Sequence, residues 1–190
     1  MNIRLPLLAA VAGLCTQCAR APEPTPTYNE RIVALMTTLA PQIPGTWTLT
    51  TVHAQRKPYM MYPDNFPSDT VMQQFATLYL QPATPRSSGP PDPRYPEFEG
   101  QLTYKRKTYP VRFRLMESGA YIQRQEGPPA TLLLEFNYAP APPRPTEPEE
   151  EFLRELGLIN ENFSLEVDGR QNTMTWRGFV RNIERIEMKR

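Results

Sequence analysis

The regular pattern of apolar and polar positions begins with a predicted helix over residues 27–39. Thr27 is suited to cap this helix, because Glu30 follows three positions later at the spacing of a capping box. Pro41 and Pro44 then end it. The apolar positions of the segment fall three and four residues apart, on one helix face: Ile32, Leu35, Met36 and Leu39.

From residue 46 onward apolar residues recur at every second position, which predicts strands with one apolar and one polar face. Such strands suit an antiparallel arrangement around a single interior, a barrel or a sandwich. The predicted fold class is therefore all-β, with about eight or nine strands, one N-terminal helix and a short helix between late strands. Strands are expected near residues 46–50, 71–80, 98–104, 109–115, 120–125, 132–138, 163–167, 174–176 and 183–188.

Local irregularities refine this prediction. Most prolines fall in the gaps between strands, where a missing N–H costs nothing, but Pro110 lies within one and predicts an edge position or a bulge. A break in the alternation near Glu184-Arg185 predicts a β-bulge in the last strand. The acidic segment 149–156, followed by Gly157, predicts the short late helix.

The composition excludes several classes of protein. Proline accounts for 23 of the 190 residues against 9 glycines, which excludes collagen, a coiled coil and a protein with several membrane spans. Lysine and arginine number 21 and aspartate and glutamate 20, so the net charge is +1. Because a nucleic-acid-binding protein usually carries a basic excess, we expect no nucleic acid among the partners.

Residues 1–17 have the features of a secretory signal peptide. Arg4 gives a short positive region, and the apolar run after it is too short to span a membrane as a helix. The two cysteines of the chain, Cys15 and Cys18, stand at the end of this run. One interpretation is a bacterial lipobox, in which Cys18 is acylated and becomes the first mature residue. The alternatives are ordinary signal-peptidase cleavage near residues 19–21 and an uncleaved anchor.

The lipobox interpretation predicts an exported monomer of the cell envelope, held at the outer membrane through its lipid anchor. Residues 18–27 include a run that alternates proline with glutamate or threonine, a composition typical of an extended tether. Residues 28–190 then form a single domain, which is an ordinary length for one.

Residue types that catalysis needs are scarce in this domain. It holds one histidine, His53, and no cysteine follows Cys18, which excludes Cys/His nucleophiles and the usual zinc sets. No serine lies in a Gly-x-Ser-x-Gly turn, and no glycine-rich phosphate loop is present. We therefore expect no enzyme activity, no cofactor and no metal site, with a pair of distant carboxylates for glycoside hydrolysis as an open alternative.

The segment Gly45-Thr46-Trp47 opens the first predicted strand directly after the helix. A Gly-x-Trp there, followed by a long first loop and a run of hairpins, resembles the lipocalin-like (calycin) proteins. The resemblance implies an up-and-down barrel of about eight strands, in which Trp47 closes one end beside an arginine from the last strand region. The alternative for Trp47 is an ordinary core aromatic, and under either interpretation it is buried, as is Trp176. The candidate arginines are Arg177, Arg181 and Arg185.

The loop between the first two predicted strands is rich in methionine and aromatic residues, which make adaptable apolar contacts. If this loop covers an open end, the barrel binds a small hydrophobic ligand without catalysis, with Tyr104 or Arg114 as polar anchors at its rim. The alternative is a filled barrel that acts as a structural or protein-interaction module of the cell envelope, with an unknown protein partner. The candidate ligand-binding residues of the loop are Tyr59, Met60, Met61, Tyr62 and Phe66.

Overall fold

The computed structural model describes residues 25–57, 69–85, 90–138 and 145–190. The helices are α1 (Tyr28–Leu39), α2 (Gly119–Arg124) and α3 (Pro148–Leu156), and a 3₁₀ turn spans Ala40–Gln42. The strands are β1 (Gly45–Gln55), β2 (Asp69–Pro82), β3 (Glu97–Tyr104), β4 (Lys107–Glu117), β5 (Ala130–Phe136), β6 (Glu161–Asp168), β7 (Thr173–Gly178) and β8 (Ile183–Lys189).

The eight strands form one closed antiparallel barrel in which each strand pairs with its neighbours in chain order. β8 returns to β1, where Met188 lies opposite Leu49, and this pairing closes the sheet. Since every connection joins adjacent strands, the barrel is of the up-and-down type. The all-β prediction is confirmed, and of the two arrangements that the alternation allowed, the protein adopts the barrel.

The two ends of the barrel carry different helices. At the α1 end, where β1 begins and β8 stops, α1 buries Ile32, Met36 and Leu39 in the core. The predicted capping box is present, because the Thr27 hydroxyl accepts from the Glu30 N–H and the Glu30 carboxylate accepts from the Thr27 N–H. At the α3 end, α3 joins β5 to β6. The predicted N-terminal and late helices are thereby confirmed.

The prediction of a strand at residues 120–125 is wrong, because Gly119–Arg124 forms the helix α2. β4 and β5 pair directly with each other, for example Leu115 with Leu132, so an extra strand between them has no ladder partner. The helix satisfies its own backbone groups and buries Ile122 alone. The barrel therefore has eight strands, the lower of the two numbers that the sequence suggested.

Two smaller predictions have opposite outcomes. Pro110 lies at neither an edge nor a bulge: it pairs in register with Gln101 of β3 inside the closed sheet. β5 ends at Phe136, next to this position, so the ladder on that side of Pro110 is already finishing. The β-bulge in β8 is confirmed, because His53 and Ala54 pair with Arg185 and Ile183 and leave Glu184 as the extra residue.

Candidate functional site

The α1 end is closed by a contact between Trp47 and Arg190. The guanidinium carbon of Arg190 lies 4.3 Å from the centroid of the Trp47 ring. Its two terminal nitrogens donate to the carbonyl oxygens of Pro44 and Gln42, each at 2.9 Å. The Trp47 indole N–H donates to the carbonyl of Ile43 at 2.8 Å. Trp47 is completely buried. The contact therefore joins Arg190, which directly follows β8, to a core side chain of β1 and to the turn that leads into β1.

The arginine beside Trp47 is none of the three candidates that the resemblance suggested. Arg177 has its Nε 3.9 Å from Glu166 on the outer face of β6 and β7, and Arg181 donates to the carbonyl of Arg154. Arg185 lies outside the barrel, 3.3 Å from His53. The register explains the choice of Arg190: Lys189 lies opposite Thr48, so the next residue reaches the level of Trp47. The sequence would have identified Arg190 only if the pairing of β8 with β1 had been considered.

The interior holds a continuous cluster of buried side chains. Phe98 and Phe113 face each other across β3 and β4 with ring centroids 5.3 Å apart. Phe113 then meets Trp176 at 5.9 Å, and Trp176 meets Phe163 at 5.5 Å. Trp176 is completely buried, as predicted, and its indole N–H has no hydrogen-bond partner among the described residues.

The α3 end is covered by apolar side chains of α3. Leu153 and Leu156 are buried in the same cluster as the barrel interior. Phe152 stacks on Tyr104 with centroids 5.8 Å apart, and Tyr104 in turn contacts Phe75 at 4.8 Å. Both ends of the barrel are therefore covered by elements of the chain itself.

A polar cluster fastens α3 to the start of β4. The Lys107 ammonium lies 2.8 Å from Glu149 and 3.1 Å from Glu147, and these two hydrogen bonds raise the pKa of Lys107. The Tyr109 hydroxyl donates to Glu147 at 3.2 Å. Burial, reinforced by this bond to a carboxylate, raises the pKa of Tyr109 to about 12.

The predicted ligand-binding residues are not assembled into one site within the described part of the chain. Tyr104 is buried at the α3 end, whereas Arg114 is exposed on the outer face of β4 between the buried Phe113 and Leu115. Arg114 pairs with Glu97, about 23 Å along β3 from Tyr104. The loop candidates Tyr59, Met60, Met61, Tyr62 and Phe66 lie outside the described residues, as do the lipid-attachment candidate Cys18 and the predicted signal peptide 1–17.

A groove of about 920 Å³ lies on the outside of the barrel. One wall consists of described residues between Pro82 and Pro96, around the connection from β2 to β3. The floor is the outer face of β4 and β5, with Arg114, Met116, Leu133 and Glu135. We call it the proline groove, because five of its wall residues are prolines: Pro82, Pro85, Pro90, Pro91 and Pro96. A second, apolar cleft of about 440 Å³ adjoins it between α1 and the same segment, and shares Pro82, Pro96 and Glu97 with it.

Four charged side chains beside the groove form a cross-strand network. Glu97 and Glu99 of β3 lie opposite Arg114 and Arg112 of β4. Arg112 is nearly buried, bonds both carboxylates and donates to the carbonyl of Thr84 at 3.3 Å. Its hydrogen bond to Glu97 holds the pKa of that carboxyl below its ordinary value. The network holds the beginning of the β2–β3 segment against the outer wall of the barrel.

Arg114 has a different position within this network. Its Nε and one terminal nitrogen bond Glu97, but its side chain is 59% exposed. Glu135 is also exposed and lies on the next strand, opposite Arg112. The groove was not predicted from the sequence, although the alternation of charges at these four network positions was visible there.

Comparisons of the chain with protein-family models, with curated proteins and with solved structures find no match. Within the described ranges, no helix has the length and apolar character that crossing a membrane requires. The same residues contain no group of three His, Cys, Asp or Glu side chains placed to bind a metal ion.

Proposed function

We propose that this protein is a non-catalytic interaction module of the cell envelope, in which a filled barrel presents the proline groove to a protein partner. The observation that carries the proposal is the packing of the interior. Phe98, Phe113, Phe163 and Trp176 are each no more than 2% exposed and contact one another across the barrel. Barrels of this size can be filled by side chains alone, and such a barrel serves as a rigid scaffold.

The outer wall supports the same proposal. The proline groove and the adjoining apolar cleft both lie outside the barrel, and Met116 is 38% exposed on the groove floor. Because proline has few accessible backbone conformations, the wall of the groove loses little conformational entropy when a partner binds. A partner with an extended backbone and an apolar side chain fits a groove of mixed polarity beside an apolar cleft.

Membership of the lipocalin-like proteins and attachment to the envelope are parts of the proposal. The order of α1, Gly45-Thr46-Trp47 and an eight-stranded barrel supports the relationship, and so does the arginine stacked on Trp47. The apolar run that ends at Cys18 and the proline-rich segment after it support export and lipid anchoring. In this arrangement the domain is tethered through the chain that precedes α1.

A second candidate function is the binding of a small hydrophobic ligand inside the barrel. The observation that favours it is the buried indole N–H of Trp176, which lacks an acceptor among the described residues. A buried donor within apolar surroundings suits a ligand that has an apolar body and one acceptor atom.

Position-specific crosslinking tests the proposed function. A photoreactive amino acid at Met116, on the groove floor, should give a discrete crosslinked protein in cells. The same residue at Val71 is the matched control, because Val71 is an exposed apolar residue of β2 outside the groove. Equal products from the two positions, or none from Met116, would contradict the groove as a docking surface.

A titration with fatty acids separates the second candidate from the first. A filled barrel predicts no saturable change in the emission of Trp47 and Trp176. An interior ligand predicts a saturable change that is lost when the residues of the first loop become serine: Tyr59, Met60, Met61 and Tyr62.

A further inference from the structure

We propose that the proline groove is occupied by the chain's own proline-rich segment, residues 19–26, which a partner must displace in order to bind. The inference rests on the proposed function in that it takes the groove to be a docking surface. Three features of the described residues lead to this occupant: where α1 begins, how long the groove floor is, and which charges it exposes.

The start of α1 lies at one end of the groove. The Tyr28 hydroxyl donates to Glu117 at 3.4 Å, and Glu117 directly follows Met116 of the groove floor. Thr27, the residue that caps α1, is exposed. The chain that precedes Thr27 therefore leaves the domain beside the floor of the groove.

The lengths also agree. Proline-rich chain in the polyproline II conformation rises about 3.1 Å per residue, so Glu23 can reach about 12 Å from Thr27 and Arg20 about 22 Å. Along β4, Arg114 lies about 10 Å and Arg112 about 17 Å from Glu117 at 3.3 to 3.4 Å per residue. The Tyr28–Glu117 hydrogen bond keeps the two starting points within the length of two side chains of each other, and the side chains of arginine and glutamate span the remaining differences.

The exposed charges of the floor complement those of the segment. Glu23 is the one acidic residue of 19–26, and Arg20 is the one basic residue, three positions earlier. On the floor, Arg114 and Glu135 are diagonal neighbours on β4 and β5, about 7 to 8 Å apart. One polyproline II turn separates Arg20 from Glu23 by about 9 Å. Glu23 therefore meets Arg114 while Arg20 meets Glu135, in the order in which the chain leaves α1.

A spin label on the segment tests this inference in the full chain, purified in detergent. Cys15→Ser and Cys18→Ser remove both native thiols, so Ala21→Cys provides a single labelling site. The label should show a slow component from the docked segment. Arg114→Ala should lower the docked-to-free ratio roughly two- to fivefold, the range expected for one exposed ion pair.

Matched variants make the test specific. Arg124→Ala removes an arginine of similar exposure on α2 and should leave the spectrum unchanged. Arg114→Glu should release the segment, and Glu23→Arg combined with Arg114→Glu should restore docking. Addition of excess unlabelled chain identifies docking between two copies. The slow component of the spectrum falls in that case only, because unlabelled segments then compete for the groove of each labelled copy.

The outcomes separate this inference from the proposed function. A label that is equally mobile in every variant, or equally affected by Arg114→Ala and Arg124→Ala, overturns docking of the segment. A crosslink from Met116 to a protein partner would then still support the groove as an interaction surface. Docking without any partner crosslink, even after Glu23→Arg weakens it, would support the inference and overturn the proposed function.

Discussion

The guanidinium of Arg190 lies on the ring of Trp47, with 4.3 Å between its central carbon and the ring centroid. The same group donates to the carbonyls of Pro44 and Gln42, which have no strand partners because they precede β1. One side chain thus holds the C-terminal end of β8, the turn after α1 and the first aromatic residue of the barrel together.

Replacement of Arg190 by alanine should lower the free energy of unfolding by about 2 to 3 kcal/mol, since it removes two charged hydrogen bonds and a cation–π contact. Urea unfolding measures this value. Arg177→Ala is the control, because Arg177 is half exposed and 3.9 Å from its carboxylate, and should change stability by less than about 0.5 kcal/mol. Equal effects of the two substitutions would show that the contact with Trp47 adds no stability.

Gly100 is required where β3 passes close to β2. A Cβ atom at this position would lie 1.8 Å from the carbonyl oxygen of Tyr79, and backbone atoms of a paired strand cannot yield. We expect Gly100→Ala to cost about 3 kcal/mol or more, or to prevent folding. At Gly119 the nearest atom to a new Cβ is the Tyr28 hydroxyl at 3.8 Å, so Gly119→Ala should fold normally. Thermal unfolding of the two variants distinguishes these outcomes.

The ion pair of Arg112 with Glu97 should make the free energy of unfolding depend on pH in the acidic range. The pKa of Glu97 lies below its ordinary 4.5 in the folded protein, chiefly because Arg112 bonds the carboxylate. A carboxyl group whose pKa is lower in the folded than in the unfolded protein stabilises the fold at pH values above its unfolded-state pKa. This contribution is lost as the pH falls through the folded-state pKa. Arg112→Met should cost about 2 to 3 kcal/mol at pH 7 and show a smaller loss between pH 7 and pH 3 than the parent. Urea midpoints over this range test the difference, and parallel pH profiles would contradict it.

The eight strands of the barrel could be predicted from the sequence because their apolar positions alternate, whereas residues 120–125 showed no clear period and form a helix instead of the predicted strand. Alternation along β1, β3 and β4 placed Trp47, Phe98 and Phe113 on one face, and the structure has all three in the interior. Arg190 was missed because its role depends on the closure of β8 on β1, which no local pattern shows. The proline groove was missed for a related reason: it depends on a long-range contact, in which Arg112 of β4 donates to the carbonyl of Thr84 just after β2.

Tyr109, at the α3 end, should make the stability of the protein fall at alkaline pH. Tyr109 has its pKa raised to about 12 in the folded protein, by burial and then by its bond to Glu147, from an ordinary value of 10.0. A phenol whose pKa is higher in the folded than in the unfolded protein stabilises the fold fully below pH 10, and this contribution is lost as the pH rises toward 12. Tyr109→Phe should therefore flatten the fall in stability over that interval. Ultraviolet titration of the native protein should show one late phenolate that the variant lacks, and the absence of a difference would refute this assignment.

The predicted anchor can be tested on two cysteines that stand three residues apart. If Cys18 carries the acyl chain, Cys18→Ser should abolish incorporation of labelled palmitate and shift the protein from the membrane to the soluble or unprocessed fraction. The reason is that each buried methylene of an acyl chain contributes about 0.8 kcal/mol to membrane binding. Cys15→Ser is the matched control, since Cys15 lies within the predicted signal peptide and leaves with it. Palmitate incorporation that survives Cys18→Ser would exclude Cys18 as the site of attachment, and the domain would then need another means of reaching the envelope.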